Sequence, residues 1–142
     1  MFSSYILRKF ISYFRFILKK FGLSIFFSAD GEDSILHKWI GGINKGFYID
    51  LGSNFPIYAS NTYGFYLDGW SGICIDPNPG LKLKYSFFRS SDMFINSAIV
   101  TNNKTLKKNF YFYKNNNELN TISKKRVNIQ KKLYDRLPSK II

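Results

Sequence analysis

The chain has 142 residues, 45% hydrophobic and 19% aromatic, which is enough for one domain with a modest core and excludes a fully disordered chain. Its formal charge of +12 would suit polyanions, but Lys, Asn, Ile, Phe and Tyr are plentiful throughout. The charge therefore reads as compositional bias, and no specific nucleic-acid-binding module is visible. A single cysteine, Cys74, excludes an internal disulfide framework and a Cys-rich zinc site, and fits a reducing, cytoplasmic setting.

Residues 1–27 mix Phe, Ile, Leu and Tyr with Arg8, Lys9, Arg15, Lys19 and Lys20. No apolar run approaches the ~20 residues that span a bilayer, and the recurring charges argue against a signal peptide. Arg8, Ser12, Arg15 and Lys19 recur at helical spacing, which predicts a basic amphipathic helix with a broad aromatic-aliphatic face opposite them. Such a helix suits peripheral contact with the inner face of an anionic membrane. Its apolar face would equally suit packing on the protein's own sheet or on another subunit. Gly22 and the turn from Ser28 to Asp33 separate it from a short helix over Glu32 to Ile40, started near Asp30 or Gly31 and stopped by Gly41-Gly42. Glu32 and Asp33 sit in its first turn, against the positive end of the helix dipole.

The stretch from Gly46 to Pro79 carries the chemistry. It holds two apolar runs, Phe47-Tyr48-Ile49 and Gly72-Ile73-Cys74-Ile75, each ending on a carboxylate, Asp50 and Asp76. Such runs predict parallel strands buried on both faces. Ligands of open α/β sheets bind beyond the carboxyl ends of the strands, so both carboxylates are expected to face the crevice. Between them, Gly52-Ser53-Asn54 offers a backbone turn, Ser60-Asn61 an N-cap for a helix over Thr62 to Leu67, and Gly69 its stop.

Further on, Pro79 to Arg89 predicts a helix and Met93 to Val100 a third strand. Asn102-Asn103 supplies a turn, Asn109 to Tyr113 a fourth, more exposed strand, and Asn115-Asn116-Asn117 a break. Ser123 to Leu137 is Lys/Arg-rich and predicts a solvated helix ended by Pro138. The division is thus an N-terminal helix over 1–27, an α/β domain over 28–123 with about four strands and flanking helices, and a basic C-terminal tail over 124–142.

A dinucleotide fingerprint needs G-x-G-x-x-G, but only Gly52 stands in the loop, and no P-loop occurs. What remains is a cofactor with a ribose and no phosphates, since an acid at the end of the second strand can accept hydrogen bonds from ribose hydroxyls. S-adenosylmethionine is the obvious candidate, because its cationic sulfonium and amino groups favour a nearby carboxylate such as Asp50. His37 is the only histidine and lacks a metal-binding companion, so a surface or packing role is expected. Cys74, inside a strand, reads as a buried small hydrophobe. No metal site is expected.

These residues resemble the FkbM-type methyltransferases. The match is carried by Gly31-Glu32-Asp33, Gly46-Phe47-Tyr48-Ile49-Asp50-Leu51-Gly52, Pro56, Ser60-Asn61-Thr62-Tyr63, Phe65-Tyr66, Gly69-Trp70 and Gly72-Ile73-Cys74-Ile75-Asp76-Pro77-Asn78-Pro79. Arg89, Asp92, Asn96, Ala98 and Asn120-Thr121-Ile122-Ser123 continue it in order. The resemblance implies a Rossmann-like, class I methyltransferase sheet and transfer of a methyl group from S-adenosylmethionine to a hydroxyl of a glycan or small metabolite. It implies that Asp50, Gly52, Ser53 and Asn54 line the methionine side of the cofactor and that Asp76 holds the ribose. It also makes Glu32, Asp33, Asn61, Tyr63 and Arg89 candidate lining residues, each of which has a capping, packing or ion-pairing alternative. Trp70 and Tyr66 are expected in the core. The family chain continues with more sheet and helices, so a truncated member is expected, one that completes its site with another chain, a dimer mate or residues missing from this sequence. The alternative is a cofactor-binding remnant, without catalysis, held at a membrane surface. The resemblance names no catalytic base.

Overall fold

The computed structural model describes residues 2–40, 42–101, 108–114 and 119–142. Gly41, Asn102-Asn103 and Asn115-Asn116-Asn117, expected as a helix stop, a turn and a break, lie outside the described residues.

The elements in chain order are α1 (Phe2–Lys20), α2 (Glu32–Trp39), β1 (Phe47–Leu51), α3 (Tyr63–Leu67), β2 (Ser71–Ile75), a turn of 3-10 helix (Pro79–Leu81), α4 (Lys82–Phe88), β3 (Met93–Ile95), β4 (Tyr111–Phe112), α5 (Lys124–Tyr134) and β5 (Lys140–Ile141). The fold is mixed α/β. β1, β2 and β3 form a three-stranded sheet in that order, parallel throughout, with Tyr48 opposite Gly72, Asp50 opposite Cys74 and Cys74 opposite Phe94. The fourth expected strand does not join it. β4 pairs instead with β5 in an antiparallel ribbon, and Phe110 and Ile142 exchange backbone hydrogen bonds of 2.9 Å. Residues 124–142 are thereby tied back to the segment before them. α5 ends at Asp135, in left-handed conformation at φ 50°, and not at Pro138.

Side chains of successive strand residues point to opposite faces. Tyr48 and Asp50, Gly72 and Cys74, and Phe94 share one face, which the helices cover. There Cys74, Leu81 and Tyr85 form a buried cluster with Tyr48, Phe55 and Phe94, while Tyr63, Tyr66 and Leu67 form another against Ile11, Phe27 and Ile57. The other face is bare. Phe47, Ile49 and Leu51 are 61%, 61% and 60% exposed, and Met93 and Ile95 continue the patch across β3. The expectation of strands buried on both faces is corrected here, because no helix among the described residues crosses this side. Burying one such side chain fully would contribute about 1.5–3 kcal/mol.

α1 is the expected helix, and its packing bears on where its apolar face goes. It packs on α3 and α4, with its polar face turned inward beside Ile11. Ser12 donates to the Leu67 carbonyl (2.8 Å), Arg15 to the Gly64 carbonyl (3.2 Å) and Asp68 (3.0 Å), and Arg8 to Ser91 (3.0 Å). The aromatic face is therefore not spent on the protein's own sheet. Of these acceptors the Leu67 carbonyl and the Asp68 carboxylate lie at the C-terminal end of the short helix α3, where cations are favoured.

Gly72 fixes how β1 and β2 meet. A Cβ there would fall inside the ring and carbonyl of Tyr48, so the missing side chain is what lets that ring lie across β2. From there the Tyr48 hydroxyl reaches Asp92, just ahead of β3. Gly72→Ala should lower stability to urea by about 2 kcal/mol or more, the usual range for forced overpacking, with a parallel loss from Tyr48→Ala.

Candidate functional site

The carboxyl ends of β1, β2 and β3 open onto one cleft of about 400 Å³, a volume within the usual range for small-ligand sites. Leu51, Gly52 and Asn54 line it from β1, Ile75, Asp76 and Pro77 from β2, and Ser97, Ala98 and Ile99 from beyond β3. Phe110, Asn120, Thr121 and Ile122 close the remaining side.

Asp76 ties the three strand ends together. One carboxylate oxygen accepts from the Asn54 N–H (3.0 Å), the other from the Asn78 N–H (2.8 Å), and the Asn96 amide donates to the Asp76 carbonyl (2.9 Å). Asn54 turns at φ 48°, a left-handed conformation that Asn tolerates better than most residues. Gly52 turns at φ 74°, and a Cβ on it would meet only open space, so the backbone itself faces the cleft. The Gly52 and Ser53 N–H groups both donate to the Ile75 carbonyl, at 2.8 and 3.1 Å, pinning the loop to β2. Burial raises the Asp76 pKa above its ordinary value; the Asn78 and Asn54 N–H groups oppose the rise and the charge of Asp50 adds to it.

The other expected residues are placed differently. Asp50 belongs to β1 rather than following it, and it accepts a 2.6 Å hydrogen bond from Thr62 on the helix-covered side. Ser53 is buried; its carbonyl accepts from the Tyr85 hydroxyl (3.2 Å), and its own Oγ has no partner among the described residues. Asp33 is buried and accepts from the Phe27 N–H (2.7 Å) and the Ser28 hydroxyl (2.6 Å), which is a turn-pinning role. Glu32 is exposed, accepts from the Asp30 N–H (3.1 Å) and has its pKa lowered by backbone N–H donors. Asn61 is exposed before α3, whose first N–H, that of Tyr63, is capped by Ser60 Oγ at 3.1 Å. Tyr63 packs edge-on against Phe27 in the core, where Tyr66 and Trp70 are also buried, as expected. His37 stacks on Phe65 at 4.0 Å, the expected packing role, and burial lowers its pKa. Cys74 is fully buried, and burial pushes its thiol up to about 12, so it is no nucleophile at neutral pH.

Arg89 is 0% exposed and does not line the cleft. Its Nε donates to Asp92 (2.6 Å), one terminal nitrogen to Ser60 Oγ (3.2 Å) and the Pro56 carbonyl (3.5 Å), and the other to the Tyr48 (2.7 Å) and Thr62 (2.9 Å) hydroxyls. Burial works against its charge, but Tyr48 and Asp92 outweigh it and raise the Arg89 pKa above its ordinary value. Arg89 thus reaches Asp50 through Thr62 and, being fully buried, offers no surface to a ligand.

No family model, curated protein or solved structure matches this chain. The cleft geometry is therefore the basis for any functional reading. Besides Gly52, Asn54 and Asp76, it brings in residues that the strand-end rule misses. Ser97 follows a strand that ends at Ile95, short of the expected Val100, because the Ser97 N–H turns back onto the Ile95 carbonyl (3.0 Å). Phe110 arrives by a long-range fold with no local signal. Ala98 and Asn120-Thr121-Ile122 were marked only by the resemblance.

Two outcomes are expected. Arg89→Leu would leave Asp92 buried without its cation and should cost about 3–5 kcal/mol in chemical denaturation, with little rescue by Lys. The second concerns pH. The folded state binds the Asp76 proton more tightly than the unfolded chain does, so this group's contribution to stability falls as pH rises from about 4 through its raised folded value. The melting temperature of Asp76→Asn should accordingly gain on wild type across that window; a pH-independent difference would contradict the assignment.

Proposed function

We propose that the chain is the cofactor-binding part of a Rossmann-like, S-adenosylmethionine-dependent O-methyltransferase of the FkbM type, acting on a hydroxyl of a glycan or small metabolite. The observation that carries this reading is Asp76: a nearly buried carboxylate at the end of β2, held by backbone N–H groups and lining the same cleft as Gly52 and Asn54. The donor chemistry fits the cofactor. Each Asp76 oxygen keeps a lone pair for a ribose hydroxyl, the side-chain-free Gly52 permits close approach, and Ile75, Pro77, Ile99 and Ile122 supply apolar walls for a purine. Asp50 and Ser53 act from behind the loop, Asp50 through its bond to Thr62 and Ser53 through its carbonyl.

When bound, S-adenosylmethionine supplies an already activated methyl group. The protein's part is alignment and exclusion of water. Asp76 is the only titratable side chain among the described residues lining the cleft, and it is committed to holding the cofactor, so those residues offer no separate acceptor for the hydroxyl proton. That observation favours a second reading, a cofactor-binding protein without catalysis.

Calorimetry separates the readings. Wild type should bind S-adenosylmethionine, and Asp76→Ala should weaken binding by about 10- to 100-fold, the loss of charge-assisted hydrogen bonds. A folded wild type that gives no heat would overturn the cofactor assignment. Binding without transfer of labelled methyl to any hydroxylated acceptor would support the second reading.

A further inference from the structure

The orientation of α1 leaves its aromatic face outward. Arg8, Ser12 and Arg15 point into the protein and are engaged there, with the Arg8 guanidinium also lying 4.2 Å over the Tyr66 ring. On the opposite side, Ile6, Phe10 and Tyr13 follow one another at i, i+4 and i+7, and Phe10 and Tyr13 are 68% and 65% exposed. Lys9 and Lys20 edge this stripe, their ammonium groups 5.6 Å over the Tyr5 ring and 4.9 Å over the Phe16 ring. A helix folded only for water would present the reverse arrangement.

We propose that the outer face of α1 docks on an anionic lipid bilayer, with the helix lying in the plane of the headgroups. Charge decides between occupants. No Asp or Glu precedes Asp30, so the cations edging the stripe have no acid of their own segment to answer them. A second copy pairing through the same face would use the same patch on both subunits, so the lysines of one would meet the lysines and rings of the other with no acid from either helix, which like charge disfavours. An anionic bilayer answers both features. The rings enter the headgroup boundary, where Tyr is favoured, and the lysine stems lie along them with their charges at the phosphates. Among the described residues no helix is long and apolar enough to cross a membrane, which fits a helix lying on the surface. The proposal is independent of the cofactor reading, because α1 docks on the covered side of the sheet and does not line the cleft.

The full chain should co-sediment with phosphatidylcholine vesicles containing phosphatidylglycerol, and about tenfold less with phosphatidylcholine alone or in high salt. Phe10→Ser combined with Tyr13→Ser should reduce binding by a further tenfold or so while leaving the thermal melt unchanged, since both side chains are exposed. As a separate readout, Tyr13→Trp should add emission that shifts to the blue and is quenched by brominated lipid only on anionic vesicles. Three results would overturn the proposal: equal sedimentation of wild type and the double serine variant, no sedimentation of folded wild type, or a lipid-free dimer that Phe10→Ser dissolves. The last would assign the face to a second copy.

Discussion

A buried guanidinium with every N–H engaged organises this molecule. An arginine has five donors in a fixed fork, and each one left unpaired away from water costs free energy. Around Arg89 the five partners come from β1, the loop after it, the approach to α3 and the turn before β3. None of these segments can move alone without stranding a charge or a hydroxyl. Asp92 completes the arrangement: it accepts from Arg89, from the Tyr48 hydroxyl and from the Gly72 N–H (2.9 Å), extending the β2–β3 ladder by one position through a side chain. Replacing such a network wholesale with apolar residues can be neutral, whereas breaking it at one point is not. Its value here is geometric, because it holds β1, the loop after it, the approach to α3 and the turn before β3 in one arrangement.

That rigidity is one-sided. The helix-covered face of the sheet carries the arginine network and both main clusters, whereas the opposite face shows a row of apolar side chains. The cleft lies at the junction of the two regimes. Asp76, Asn54 and Asn96 bind its rim to the ordered side, and the residues of the C-terminal ribbon and the loop before α5 reach over from beyond the strand ends.

What could be read from residues alone follows the range of the forces involved. The two strands, the Ser60 cap and the helix after Pro79 depend on neighbours a few positions away, and local patterns locate them, although Pro79–Leu81 forms a turn of 3-10 helix where one continuous helix was expected. The Asp76 position was legible for the same reason, since a carboxylate directly after an apolar run is placed by the strand itself. Asp50 was legible only in part: the alternation that puts Phe47, Ile49 and Leu51 on one face necessarily puts Asp50 with Tyr48 on the other, towards Thr62. Two features needed the whole fold. The pairing of Lys140–Ile141 with Tyr111–Phe112 spans almost thirty residues and leaves no local trace in so basic a segment. The inward turn of α1's polar face reverses the usual rule, because the surface it meets offers backbone carbonyls, Asp68 and the Ser91 hydroxyl beside the Tyr66 ring.

The empty side-chain position at Gly72 also constrains how this protein can vary. Tyr48 fills the space that residue 72 leaves, so the two positions behave as one volume shared across the β1–β2 ladder. A larger residue at 72 would meet the Tyr48 carbonyl as well as its ring, so shrinking the side chain at 48 does not by itself make room, and any smaller residue there forfeits the hydroxyl that lies between Arg89 and Asp92. Sequence drift at this pair is therefore blocked from both directions. An exchange at 72 would therefore require the backbones of β1 and β2 to move apart, and not side-chain changes alone.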